Sequence, residues 1–414
     1  MKRPWIATQL YIGKAEQHAF TVEEMKNAIR AAREIAGIDA LMIMPATDFA
    51  LTQDLVGTSR ECGIQAYLWF PVLADVPGLT ADRSGLVQPY NEDRSGRKSG
   101  AWERLESSKD EFQFICPNHG HSLDSVFGIY ASLLDRLPVD GVMLDRIRFP
   151  SPANGFESLL SCFCGSCKAA FEQGDGLPFE TLRERARSFI LRIKDLTPSA
   201  FAAEWGETDS LWTVAGLERL AAFRRRSVVK AVQRFSIHAR SKGLKVGLDL
   251  FSYSLSHLVG QDYAALSETC DWVKPMIYCH AVGPAGLPLE IACMSRALRE
   301  LSPRLGAGGA NELLRKLFRW DIPETEERLL TDGLPEKILS SELTLIKGAG
   351  LASGVEVYAG IEAVRNPQFG IDITAETLNR YFSHLVEPAR GIVASWNLLD
   401  IPHENLERIG RLRD

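Results

Sequence analysis

Asp140-Gly141-Val142-Met143-Leu144-Asp145-Arg146-Ile147-Arg148-Phe149-Pro150 is the stretch that decides the fold. Val142 to Leu144 are continuously apolar, as a parallel strand covered on both faces requires. A carboxylate ends the run. Asp145 stands where the strand should leave the sheet, Arg146 and Arg148 follow, and Pro150 forbids further pairing. Charges on a core strand are costly unless they are paired or used. In a parallel α/β barrel the C-terminal strand ends form the reactive face, so Asp145 is a candidate functional group. The structural alternative is that it pairs with Arg146 or Arg148.

Outward from this strand the same rhythm repeats. Trp5 to Ile12, Ile38 to Met44 and Ile64 to Phe70 read as strands before it. Thr21, with Glu23 and Glu24 in the first turn, opens a helix running to about Ala36. After the central strand, Lys245 to Phe251, Asp271 to Tyr278, Gly354 to Gly360 and Ile392 to Trp396 are strand-like, with helical runs between them such as Leu217 to Lys242 and Thr374 to Leu385. Eight strands alternating with helices predict one (β/α)8 TIM barrel over residues 1–414. Long insertions follow strands 3, 4 and 6. Residues 74–111 read as a lid or substrate wall, rich in Gly, Ser, Asp and Arg with isolated Tyr90 and Trp102. Residues 150–242 and 302–350 read as helical insertions, the first carrying a cysteine cluster.

At 414 residues and 45% hydrophobic, the chain can build a large core. Its net charge of −6 and lack of a basic stripe beyond Arg224-Arg225-Arg226 give no reason to expect nucleic acid. No apolar run approaches the ~20 residues of a membrane span, and the N-terminus leads straight into a strand pattern. The expectation is a soluble, cytoplasmic protein. Oligomeric state is not legible. Cys162-Phe163-Cys164-Gly165-Ser166-Cys167 is a C-x-C-x-x-C cluster, and three thiolates that close could hold a structural zinc if Cys116 or His119 supplied a fourth ligand. Reduced thiols packing a loop are the alternative, and no other cofactor is expected.

Side chains alternate along a strand, so parity sorts barrel-facing from helix-facing positions. Asp249 on the fifth strand, Lys274, Met276 and Tyr278 on the sixth, and Glu356, Tyr358 and Gly360 on the seventh face inward, with Glu362 continuing that set at the mouth. Lys274 and Glu356 come early in their strands, so a deep ion pair between them is expected. Asp249 and Glu362 come late. Glu362 could instead be a solvated loop acid near Arg365. Trp396 ends the eighth strand, where it either stacks on a sugar ring or packs as core.

Leu144-Asp145-Arg146-Ile147-Arg148-Phe149-Pro150 resembles the L-D-Y-I-R-Y-P signature of glycoside-hydrolase-like barrels, departing from it at Arg146 where that family carries an aromatic residue. Cys116-Pro117-Asn118-His119, the cysteine cluster and Lys274-Pro275-Met276-Ile277-Tyr278 echo the same family. The resemblance implies a carbohydrate substrate and a catalytic or substrate-gripping Asp145. Glycoside cleavage needs a proton donor and a second carboxylate. The expected assignment is Asp145 as nucleophile or base and Glu362 as general acid, with Asp249 in reserve for either role. Arg148, Tyr278, Asn118, His119, Trp69, Lys274 and Trp396 are the expected substrate contacts. Two rivals remain: a Schiff-base aldolase using Lys274, and a sugar-binding barrel without catalysis.

Overall fold

Eight short apolar strands, each covered by helices on one side, can remove their edges only by closing on themselves. The computed structural model shows that closure. It describes residues 3–79, 86, 114–175, 177–195, 199, 200, 203, 211–283, 285–367 and 370–413. Most of the expected lid, Tyr90 and Trp102 included, lies outside the described residues.

The barrel strands are Trp5–Leu10, Ala40–Ile43, Gln65–Pro71, Gly141–Asp145, Lys245–Phe251, Trp272–Met276, Glu356–Glu362 and Ala389–Ser395. All neighbours pair in parallel, and the first strand closes on the last through Thr8 opposite Ala394. Between the fourth and fifth strands run the helices Phe156–Leu159, Gly165–Asp175, Phe179–Asp195 and Leu211–Val214 before Glu218–Ser241 returns along the barrel. Four helices, Leu287–Leu301, Gly306–Phe318, Glu326–Asp332 and Ile338–Lys347, fill the interval after the sixth strand. A two-residue ribbon joins Arg365 and Asn366 to Ile371 and Asp372. Among the described residues no helix is long and apolar enough to cross a membrane.

Local chemistry explains the elements. Thr21 caps Val22–Ala31 through a capping box with Glu24, which satisfies two otherwise orphaned amides. At the barrel floor, Asp39, Asp140 and Asp271 each stand just before a strand and accept the amide of the second residue of a neighbouring one. Their acceptor distances from Ile6, Ala66 and Val246 are 3.0, 2.9 and 2.8 Å. These acids secure edges that would otherwise leave donors unpaired.

Inside the barrel the floor is aromatic: Trp5 stacks on Tyr358 at 4.1 Å between centroids, and Tyr67 meets Trp272 edge-on at 5.7 Å. Glycine makes room for it. A Cβ at Gly141 would stand 2.3 Å from Tyr67 Cε1, and one at Gly247 2.0 Å from Trp272 Cζ2. The residues facing the helices form the larger apolar core, including Val142, Leu144, Val246 and Leu248, so the strand parity follows the sequence expectation.

Candidate active site

Above that floor lies a layer of polar side chains, and the register of the strands decides who meets whom. Asp249 stands directly opposite Lys274, and Lys274 Nζ donates to Asp249 Oδ2 at 2.9 Å and to Gln9 Oε1 at 2.8 Å. Ser395 donates to the same Gln9 oxygen at 2.6 Å and accepts from the Tyr278 hydroxyl at 3.0 Å. One connected network therefore spans the first, fifth, sixth and eighth strands and the residues just beyond the sixth. The expected Lys274–Glu356 pair does not form, because Glu356 sits opposite Trp272, lower in the barrel, and accepts from Tyr358 instead. Gly360 admits the lysine, since a Cβ there would stand 2.7 Å from its Cε.

Asp145 is the last residue of its strand and is 8% exposed. Its Oδ2 accepts from Trp69 Nε1 at 2.8 Å, and its Oδ1 from the Arg146 amide. Arg146 turns away, in a left-handed backbone conformation with φ 51°, to pair with Asp75. Leu144 lies opposite Leu248, so Asp145 and Asp249 follow on adjacent strands on the inward face. Burial pushes the Asp249 carboxyl up to about 7, Lys274 opposes that, and the charge of Asp145 adds to it. Oδ1 of Asp249 has no hydrogen-bond partner among the described residues.

Glu362 does not stand free at the mouth. It is wholly buried, where its oxygens accept from the amides of Cys279, His280 and Ala281 at 3.2, 2.8 and 2.7 Å and from the Tyr381 hydroxyl. Four donors on one carboxylate leave no oxygen for a substrate. The residue ties the loop after the sixth strand to the end of the seventh, a fastened position in place of the free acid expected at the mouth. Arg365, the suggested neighbour, pairs with Asp372 and Glu404.

Several expected substrate contacts belong to the frame. Asn118 Nδ2 donates to Ser227 Oγ at 3.0 Å and to Cys167 Sγ at 3.4 Å, and His119 caps the helix Gly120–Arg136 through the Ser122 amide. Lys274 is wholly buried with its nitrogen engaged by two acceptors, which leaves no free amine for a Schiff base. Arg148 is 5% exposed. Its guanidinium donates to the Phe149 carbonyl, lies 4.6 Å from the Phe251 ring and 5.1 Å from Phe114, and is lowered to about 10 by burial while Glu290 opposes that shift. Trp396 is half-buried and meets Tyr278 edge-on at 5.6 Å, so it borders the layer that holds Asp145 and Asp249. Gln9 and Ser395 were not anticipated. Parity along the first strand, Trp5, Ala7, Gln9, would have found the glutamine.

The cysteines of the insertion converge with Cys116. Cys116, Cys162, Cys164 and Cys167 are all buried with their sulfurs within 4.8 Å of one another. Cys116 Sγ lies 3.6 Å from Cys164 and 3.4 Å from Cys167. Of the two suggested fourth members, the structure brings Cys116 and leaves His119 to its cap.

A closed parallel barrel with polar groups gathered at its C-terminal end defines the class. No protein-family model matches the chain, and no curated protein does. Among solved structures it is similar to the PgaB (BpsB) glycoside hydrolase domain from Bordetella bronchiseptica, at 14% identity over 96% of this chain and 95% of that one, with a TM-score of 0.52. It is similar too to the catalytic domain of β-amylase from Paenibacillus polymyxa, at 10% identity over 98% and 97% of the chains and a TM-score of 0.52. Alpha-L-fucosidase isoenzyme 2 from Paenibacillus thiaminolyticus matches at 12% identity and a TM-score of 0.52, with 99% of this chain spanning 49% of the fucosidase. At these identities the likeness is one of fold.

Proposed function

We propose that the chain hydrolyses glycosidic bonds, with Asp145 acting on the anomeric carbon, directly or through a water, and Asp249 carrying the proton for the leaving oxygen. The observation that supports this best is the pair of inward carboxylates on adjacent strands at the C-terminal face. Their surroundings differ: Asp145 accepts two hydrogen bonds, whereas Asp249 is buried, raised to about 7 and keeps one oxygen without a partner. A carboxyl raised in this way can hold the proton that a general acid needs. The motif around Asp145 and the glycosidase names of the structures sharing the fold point in the same direction. Trp396 would offer its face to a sugar ring.

A panel of aryl glycosides, assayed with the wild type and with Asp145→Asn and Asp249→Asn, tests the assignment. Turnover of at least one glycoside is expected, with a loss of about 10²–10⁴-fold in kcat for Asp249→Asn and at least as much for Asp145→Asn. Activity that survives Asp145→Asn removes this residue from the chemistry.

A further inference from the structure

Four buried cysteine sulfurs meet where two loops that border the candidate active site come together. Cys116 follows Phe114 and Ile115, whose strand-like contacts with Ala74 and Leu73 tie them to the end of the third strand. Cys162, Cys164 and Cys167 follow the Asp145 to Pro150 segment. Cys116 and Cys164 are 48 residues apart in sequence, yet their sulfurs are in contact. Thiolates bound 2.3 Å from a tetrahedral zinc stand roughly 3.8 Å from one another, and the measured 3.4 and 3.6 Å, within a group no wider than 4.8 Å, suit that geometry after small shifts. Two N–H groups already point at the sulfurs: Asn118 Nδ2 at Cys167 and the Cys167 amide at Cys164, each at 3.4 Å. Donors of this kind orient and tune metal thiolates.

A second observation comes from Arg224. It is 1% exposed, on the helix Glu218–Ser241, between the rings of Phe149 and Trp212 at 4.4 and 4.8 Å. Nη1 donates to the Leu159 carbonyl, but Nε and Nη2 have no hydrogen-bond partner among the described residues. The carbonyl it reaches belongs to the segment that leads into Cys162, and the burial of Arg224 is costly for a charge without a partner. Beside four neutral thiols this guanidinium would be a buried cation without a counter-charge, which is strongly unfavourable. Beside a zinc ion held by four thiolates, a group with a net charge of −2, it is compensated.

We propose that Cys116, Cys162, Cys164 and Cys167 bind one structural zinc ion, with Arg224 as the buried counter-charge to the tetrathiolate. The ion fastens the loop after the third strand to the insertion after the fourth. It has no open coordination position, so its role is to fasten those two segments, and it takes no part in bond cleavage.

The test is the metal content of the full chain, purified from zinc-supplemented culture without chelators or a metal-affinity tag. About one zinc per chain is expected, falling below about a tenth in Cys116→Ser and Cys164→Ser and unchanged in Cys270→Ser, as a closed four-ligand site requires. Should the serine variants fail to fold, wild-type chain produced in cobalt medium decides the matter. Tetrahedral thiolate coordination gives an intense sulfur-to-cobalt band together with visible d–d bands. Arg224→Met should weaken zinc retention against a competing chelator by about 10–100-fold. Wild-type chain without metal, with eight thiols titratable after denaturation or with disulfides among these four, overturns the proposal, as does zinc retained in both serine variants. Iron in place of zinc overturns the choice of metal.

Discussion

Asp249 carries the sharpest test at the residue scale. Its carboxyl is raised to about 7 by burial and by Asp145, against the opposing charge of Lys274. As a general acid it must hold its proton, so kcat/KM should fall about tenfold per pH unit above about 7. A pH profile of Asp249→Asn should lack that alkaline limb. The same shift acts on stability. A carboxyl raised above its ordinary value of 3.8 stabilises the fold fully below that value, and the contribution is lost as pH rises through about 7. Above about pH 7, where Asp249 is ionised, Lys274→Met would leave that charge buried beside no cation, and urea titration should find the variant about 3–5 kcal/mol less stable.

Both aspartates were legible from strand alternation alone, because inward direction and lateness in a strand are properties of the sequence. Glu362 was misread because the three amides it accepts come from a loop, Cys279 to Ala281, whose path no strand periodicity encodes. Lys274 was matched to the wrong acid for a related reason. Parity says which residues face inward, while the stagger between strands says which of them meet, and only the folded register supplies it.

At the scale of elements, Glu362→Gln distinguishes a fastening from a catalyst. An amide can accept at only one of its two ends, so at least one buried amide donor would lose its partner at a cost of about 1–3 kcal/mol. A lowered denaturation midpoint with turnover per folded molecule largely kept is the expected result, measured by thermal unfolding and by kcat on the most responsive glycoside. Loss of turnover without loss of stability would restore Glu362 to the chemistry. The helices were legible where a stripe or a cap marked them. Thr21 announced its helix, and Glu218–Ser241 falls close to the expected Leu217 to Lys242. Ile338–Lys347 was not resolved in advance, since Leu345 is 47% exposed among buried Ile338, Leu339, Leu343 and Ile346, which blurs the apolar face. Gly165–Asp175 starts inside the C-x-C-x-x-C cluster, a spacing that reads as a loop motif and carries no helical stripe.

For the whole molecule, the eightfold alternation was enough to give the barrel, because every closed parallel sheet of this length needs the same crossovers. What the alternation could not give is the layer inside it. Gln9 and Ser395 lie 386 residues apart and share one hydrogen bond, and Thr8 donates to the Ala394 carbonyl across the same join. A chain shortened to begin after Ile12 would open two neighbours to solvent and strip Lys274 of an acceptor. Such a chain should lose its cooperative unfolding transition in calorimetry, whereas a shortening confined to residues 1–2 should keep it.

The join has a consequence in time as well as in space. At synthesis rates of about 5–20 residues per second, the strand that begins the chain waits on the order of 20–80 s for the partner 386 residues downstream. Throughout that interval the nascent sheet carries an open edge, and Gln9 has neither its serine nor a finished ring to belong to. The last strand to emerge is the keystone, so a ribosome that stalls before residue 389 leaves an arch that exposes its inner aromatics to whatever chaperone is near.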